Sequence, residues 1–62
     1  MSKEEIRGAD GALKAVIFTY GPKLELRSNT GDLLAVYDEA TNETRDATGS
    51  LVGRGNQLLT CL

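Results

Sequence analysis

The chain has no histidine and no tryptophan, and it has a single cysteine, Cys61, among 62 residues. One cysteine cannot form a disulfide within the chain, and one thiol without histidine cannot complete a structural zinc site. Folds below roughly 70–80 residues usually rely on disulfides, metals or oligomerisation, because their cores are small. We therefore expect a homo-oligomer without cofactor or metal, built from one domain spanning residues 1–62.

Long apolar segments are also missing. A run such as residues 15–18 is far too short to span a bilayer. The first residues, Ser2-Lys3-Glu4-Glu5, are acidic where a secretory signal would be basic and then apolar. Together with the free thiol, these features predict a cytoplasmic protein without membrane contact.

No excess of positive charge is present. Seven basic residues stand against nine acidic ones, which gives a net charge of −2. This balance favours solubility and disfavours nonspecific attraction to a phosphate backbone. The only aromatic residues, Phe18, Tyr20 and Tyr37, are too few and too apolar in context to form a stacking platform for bases. On both grounds, we expect no nucleic-acid partner.

What the chain does contain is an internal repeat. The pattern Arg-x-x-x-Gly-x-Leu occurs three times, at residues 7–13, 27–33 and 45–51. Its glycines, Gly11, Gly31 and Gly49, are 20 and then 18 residues apart. Recurrence at such periods indicates one supersecondary unit that is used again.

The unit has the character of a β-hairpin. Asp-Gly or Thr-Gly between alternating apolar segments suits a short loop whose glycine has positive φ. Lys23 to Arg27 alternates polar and apolar residues, residues 12–20 are rich in β-branched and aromatic side chains, and Gly21-Pro22 ends that strand. We predict an all-β, mainly antiparallel fold in which three β-hairpin repeats form a twisted meander or a small barrel.

The C-terminal segment allows two interpretations. Asn56 could cap a short helix through Leu62, or residues 58–62 could form a final strand. The helical turn is favoured, because Asn56 and Gln57 are poor residues for starting a strand. Leu58, Leu59 and Leu62 make this end apolar, so they either cover an open face of the sheet or contact another copy.

Arg7, Arg27 and Arg45 occupy the same position in each repeat. If the repeats pack side by side, their guanidinium groups could form a row that binds a carboxylate or a phosphate. The simpler interpretation pairs each arginine with an acid of its own turn, such as Asp10, Asp32 or Asp46. We favour this simpler interpretation.

No catalytic set is apparent. Without histidine, Cys61 has no evident activating base, and a core this small is not expected to hold a cavity of ligand size. The acidic residues between Asp38 and Asp46 lack the spacing of a calcium loop. An enzyme is therefore the least favoured class.

The cadence Gly-x-Leu-x-(Ala/Gly), at residues 11–15, 31–35 and 49–53, resembles short β-repeat proteins of the MORN and β-flower types. The chain departs from the MORN pattern by lacking Trp and the paired Tyr-Gly positions, so the lipid association of that family is not carried over. It is also similar in style to small orphan all-β hairpin-repeat proteins of prophages and gene cassettes. This resemblance implies no functional residue.

Two hypotheses for function follow. The first is a non-catalytic interaction protein that self-associates through strand edges and its apolar C-terminal segment. The alternative is a small-barrel module that binds an anionic peptide or ligand on the row of arginines.

Overall fold

The computed structural model describes residues 2–61, which form one antiparallel sheet followed by a short helical turn. Its six strands pair in sequence order, so the sheet is a meander. The strands are β1 (Ser2–Arg7), β2 (Leu13–Tyr20), β3 (Lys23–Ser28), β4 (Leu33–Asp38), β5 (Glu43–Asp46) and β6 (Leu51–Arg54). This arrangement confirms the predicted all-β fold of three hairpin repeats.

The three glycine-containing turns have the same backbone geometry. Gly11, Gly31 and Gly49 have φ of 84°, 95° and 90°, a region that glycine enters without steric cost. Each glycine amide donates to the carbonyl three residues earlier, at 2.9, 3.0 and 2.9 Å. In each hairpin, the third residue after the glycine has no partner on the opposite strand, and the pairing register shifts there. These residues are Lys14, Leu34 and Val52. The repeat therefore encodes a turn followed by a β-bulge.

Two different connections join the hairpins. Tyr20 pairs with Lys23, so Gly21 and Pro22 alone make the first turn. Gly21 has φ of 59°, and the ring of Pro22 fixes a negative φ. A positive φ followed by a negative φ at the two central residues is typical of a type II′ turn. The second connection is the longer loop 39–42, where the Tyr37 hydroxyl donates to Asn42 Oδ1 at 2.8 Å.

One face of the sheet, called here the inner face, carries the core. Ala15, Leu26 and Ala35 of three adjacent strands are fully buried there together with Leu58. Ile6, Ile17 and other partly buried apolar side chains pack around them. Leu58 belongs to a 3₁₀ turn, Leu58–Cys61, that lies against β4.

The C-terminal segment is therefore a helical turn across residues 58–61, as predicted, while Leu62 lies outside the described residues. Thr44 attaches this segment to the sheet from a fully buried position. Its hydroxyl donates to the Gly55 carbonyl at 2.7 Å and accepts the Gln57 amide at 2.9 Å.

The sheet does not close into a barrel. Within residues 2–61, β1 and β6 each pair with one neighbour only, and they do not pair with each other. The helical turn instead covers the part of the inner face at β4, so the central core residues are shielded without closure. Of the two predicted architectures, the meander is confirmed and the barrel is wrong.

Candidate interaction surfaces

Each arginine of the repeat forms an identical contact, called here an arginine clamp. Nη1 donates to the carbonyl of the turn glycine four residues later, at 3.0, 3.0 and 2.9 Å for Arg7, Arg27 and Arg45. Nη2 donates to the glutamate two residues earlier. Those ion pairs join Arg7 to Glu5, Arg27 to Glu25 and Arg45 to Glu43 at 3.0, 3.2 and 3.4 Å.

The prediction that these arginines pair with an acid nearby is confirmed, but the predicted partners are wrong. Asp10 and Asp46 instead accept backbone amides of their own turns, at 3.0 Å from Ala12 and 2.9 Å from Thr48. Asp32 accepts the Thr30 hydroxyl at 3.1 Å. The glutamates are favoured because residues two apart in a strand share a face.

The clamps do not converge on one point. Arg7, Arg27 and Arg45 lie on β1, β3 and β5, so successive guanidinium groups start from strands about 9.6 Å apart. A carboxylate or phosphate is smaller than this separation, so one such group cannot contact two clamps. The geometry gives the arginines a structural role at the turns, and it does not favour the predicted row as a single anion site.

Opposite the core lies the outer face of the sheet, which the helical turn does not cover. The strand register places six of the seven basic residues on it. They are Lys3, Arg7, Lys23, Arg27, Arg45 and Arg54, and they share the face with Glu5, Glu25, Asp38 and Glu43. The outer face therefore has a net charge of +2, and the rest of the chain has −4.

The outer face also carries two aromatic rings. Phe18 and Tyr20 are two residues apart in β2 and therefore lie on the same face. Their ring centroids are 6.2 Å apart, and the ring planes are inclined by 30°. Tyr20 is 43% exposed. Lys3 is the cross-strand neighbour of Phe18, and Lys23 is that of Tyr20. The third aromatic residue, Tyr37, packs against the inner core instead.

The inner face holds an open groove beside the helical turn, called here the inner groove. Its volume is about 510 Å³, within the range of ligand pockets and larger than the chain length predicts. Ile17 and Leu24 of the sheet form its apolar walls, with Leu59 and Thr60 on the side of the turn. Its other lining residues are Ser2, Lys3, Glu4, Thr19, Asn56 and Gln57.

The three C-terminal leucines have different positions. Leu58 is completely buried in the core of its own chain, so it cannot contact a second copy while the turn stays in place. Leu59 is 64% exposed and lines the inner groove. Leu62 lies outside the described residues.

The two free strand edges carry features that oppose pairing with another sheet. On β1, the exposed residues Lys3, Glu4 and Glu5 are all charged. β6 has only four residues and contains the bulge at Val52, although Leu51 and Val52 are 51% and 41% exposed. Charged, short or bulged edges are how natural sheets avoid edge-to-edge association.

Within residues 2–61, no group of three His, Cys, Asp or Glu side chains is placed to hold a metal ion. Cys61 is partly buried, and its thiol faces the Gln57 carbonyl at 3.6 Å. In the same part of the chain, no helix has the length and apolarity needed to cross a membrane. No family model, curated protein or solved structure matches the chain.

Proposed function

We propose that this protein is a non-catalytic interaction protein that self-associates through the inner groove. The observation that carries the proposal is the position of Leu59, the most exposed large apolar side chain among the described residues, at the rim of a groove with apolar walls. A knob and a groove on one surface are self-complementary, which a two-fold symmetric contact requires.

The small core supports the same proposal. Among the described residues, the fully buried apolar side chains are Ala15, Leu26, Ala35 and Leu58, and two of these four are alanines. Burying a leucine side chain contributes about 1.5–3 kcal/mol, so this core alone provides little stabilisation. Insertion of Leu59 into the groove of a second copy would bury Leu59, Ile17 and Leu24 further.

The other surfaces of the protein are less suited to contact between two copies than the inner groove. Both strand edges are protected by charge, shortness or a bulge, and Leu58 is committed to its own core. The outer face has net positive charge, so two outer faces would repel each other. The inner groove is the surface that combines exposed apolar area with a matching cavity, and a cytoplasmic location is part of the same proposal.

A pair of leucine variants tests the proposal. Leu59→Ser removes the knob, whereas Leu51→Ser makes the same chemical change at a similarly exposed leucine on β6. In sedimentation equilibrium, we expect wild-type protein and Leu51→Ser to associate equally, with Leu59→Ser at least tenfold weaker. Thermal unfolding of each variant at low concentration checks that the monomer fold is retained.

The opposite ranking would contradict the groove as the contact. If Leu51→Ser weakened association and Leu59→Ser did not, the proteins would associate through β6. If the wild-type protein stayed at its monomer mass of 6.6 kDa at every concentration, self-association itself would be wrong.

A further inference from the structure

The charges of the chain are unevenly distributed between the two sides of the sheet. The outer face has a net charge of +2, whereas the remainder has −4. The expectation of no nucleic-acid partner came from the net charge of the whole chain and from the small number of aromatic residues. The net charge of the whole chain does not describe the outer face. In the structure, two of the three aromatic rings, Phe18 and Tyr20, lie together on the outer face.

The acids of the outer face are largely compensated. Glu5, Glu25 and Glu43 are ion-paired with the three clamp arginines. Asp38 accepts the Ala40 amide at 2.9 Å and keeps its charge, as the cross-strand neighbour of Lys23. Among the described residues, Lys3, Lys23 and Arg54 form no ion pair, so they are the basic groups of this face that remain available to a ligand.

The available lysines flank the two aromatic rings. Lys3 neighbours Phe18 across β1 and β2, and Lys23 neighbours Tyr20 across β2 and β3. Neighbouring aromatic rings on a sheet surface, with cations beside them, are the elements that bind unpaired bases and their phosphates.

We propose that the outer face binds single-stranded nucleic acid, with bases stacking on Phe18 and Tyr20 and phosphates contacting Lys3, Lys23 and Arg54. An acidic peptide fits less well. Recognition of acidic motifs relies on clustered arginines, and here the clamps are separated and already bound to glutamates and turn carbonyls. The proposal does not depend on self-association, because the outer face and the inner groove lie on opposite sides of the sheet and share only Lys3 of the edge strand β1.

Fluorescence anisotropy with a labelled oligothymidine of about 12 nucleotides tests the proposal. Tyr20→Leu keeps an apolar side chain but removes the ring, and we expect about tenfold weaker binding. Lys23→Gln should weaken binding and reduce the slope of log affinity against log salt by about 0.7, the value for one phosphate contact on a single strand.

Asn29→Asp is the matched control for charge. It also lowers the net charge by one, but it lies in the exposed turn after β3, at the opposite end of that strand from Lys23. We expect its affinity and salt slope to equal those of the wild-type protein. Leu59→Ser should also bind the oligothymidine normally, so failure of the self-association proposal is distinguishable from failure of this one.

Three results would overturn the proposal. The first is absence of oligothymidine binding at low salt. The second is equal binding by Tyr20→Leu and wild-type protein, which would reduce the contact to attraction between a cationic surface and a polyanion. The third is displacement of the oligothymidine by polyglutamate at equal charge concentration, which would indicate an acidic polypeptide as partner.

Discussion

The second and third hairpins share one sequence pattern and one turn geometry, yet they contribute to the fold in different ways. In β3–β4, the residue before the clamp arginine is Leu26, which is fully buried beside Ala35. In β5–β6, the same position is Thr44, which is also fully buried but faces Gly53. Leu26 packs in the core, whereas Thr44 holds the C-terminal segment by two hydrogen bonds.

The repeat therefore specifies the hairpin, and the residue before the clamp arginine specifies the role of that hairpin in the fold. Both hairpins have the arginine clamp, the glycine turn and the bulge. The apolar residue before the clamp arginine builds the centre of the sheet. The hydroxyl at the same position ends the repeat series by recruiting the segment that covers the inner face.

The largest effect is expected from Leu26→Ala. Removing a buried leucine side chain costs about 2–5 kcal/mol, and a domain of this length has a total free energy of unfolding of only about 3–9 kcal/mol. We therefore expect most of the stability in urea unfolding to be lost. Leu51→Ala in the third hairpin is the control, because Leu51 is half exposed. Equal losses in the two variants would contradict the assigned core.

Thr44→Val should have an intermediate effect. It preserves the shape of the side chain but leaves the Gly55 carbonyl and the Gln57 amide without their partner, which costs about 1–3 kcal/mol. Amide exchange across residues 57–61 should accelerate more than exchange in β3. Thr44→Ser keeps the hydroxyl and should retain slow exchange there. If Thr44→Ser released the C-terminal turn as fully as Thr44→Val, packing of the methyl group would be the true anchor.

The smallest effect is expected at the turn of the third hairpin. A hydrogen bond from the Thr48 hydroxyl, together with turn amides such as Ser50, lowers the pKa of Asp46 below its ordinary value of 3.8. Because the pKa is lower in the folded protein, this stabilisation is present above the ordinary value and is lost as the pH falls through the lowered one.

The second hairpin supplies the control for Asp46. Ser28 occupies the equivalent position and accepts the Thr30 and Asp32 amides without titrating. Asp46→Ser reproduces the turn of the second hairpin. The midpoint of its thermal unfolding should lie slightly below that of the wild-type protein at neutral pH, and the two midpoints should become equal at acidic pH. A difference between the two proteins that does not change with pH would contradict a role for the carboxylate charge.

Much of the sheet could be predicted because its signals are local. Gly11, Gly31 and Gly49 mark turns that require positive φ, and alternation in residues 23–27 sets the face of β3. The glutamate partners of the clamps were missed, although Glu-x-Arg stands in all three repeats. That signal becomes meaningful only once residues two apart are known to share a strand and a face.

The surfaces could not be predicted in the same way. The position of Leu58 in the core depends on the chain turning back after Gly55, which Thr44 controls from eleven residues earlier. The positive outer face depends on the register of all six strands. Net charge averages the two sides of the sheet, so it gives no indication of this separation.

Self-association through the inner groove can be measured in a mixture of isotope-labelled and unlabelled protein. Isotope-filtered nuclear Overhauser spectra of this mixture report only contacts between copies. We expect intermolecular contacts from the Leu59 methyl groups to Ile17 and Leu24, which grow stronger with protein concentration. Spectra without intermolecular contacts at high concentration, or with contacts from Leu51 and Val52 alone, would contradict self-association through this groove.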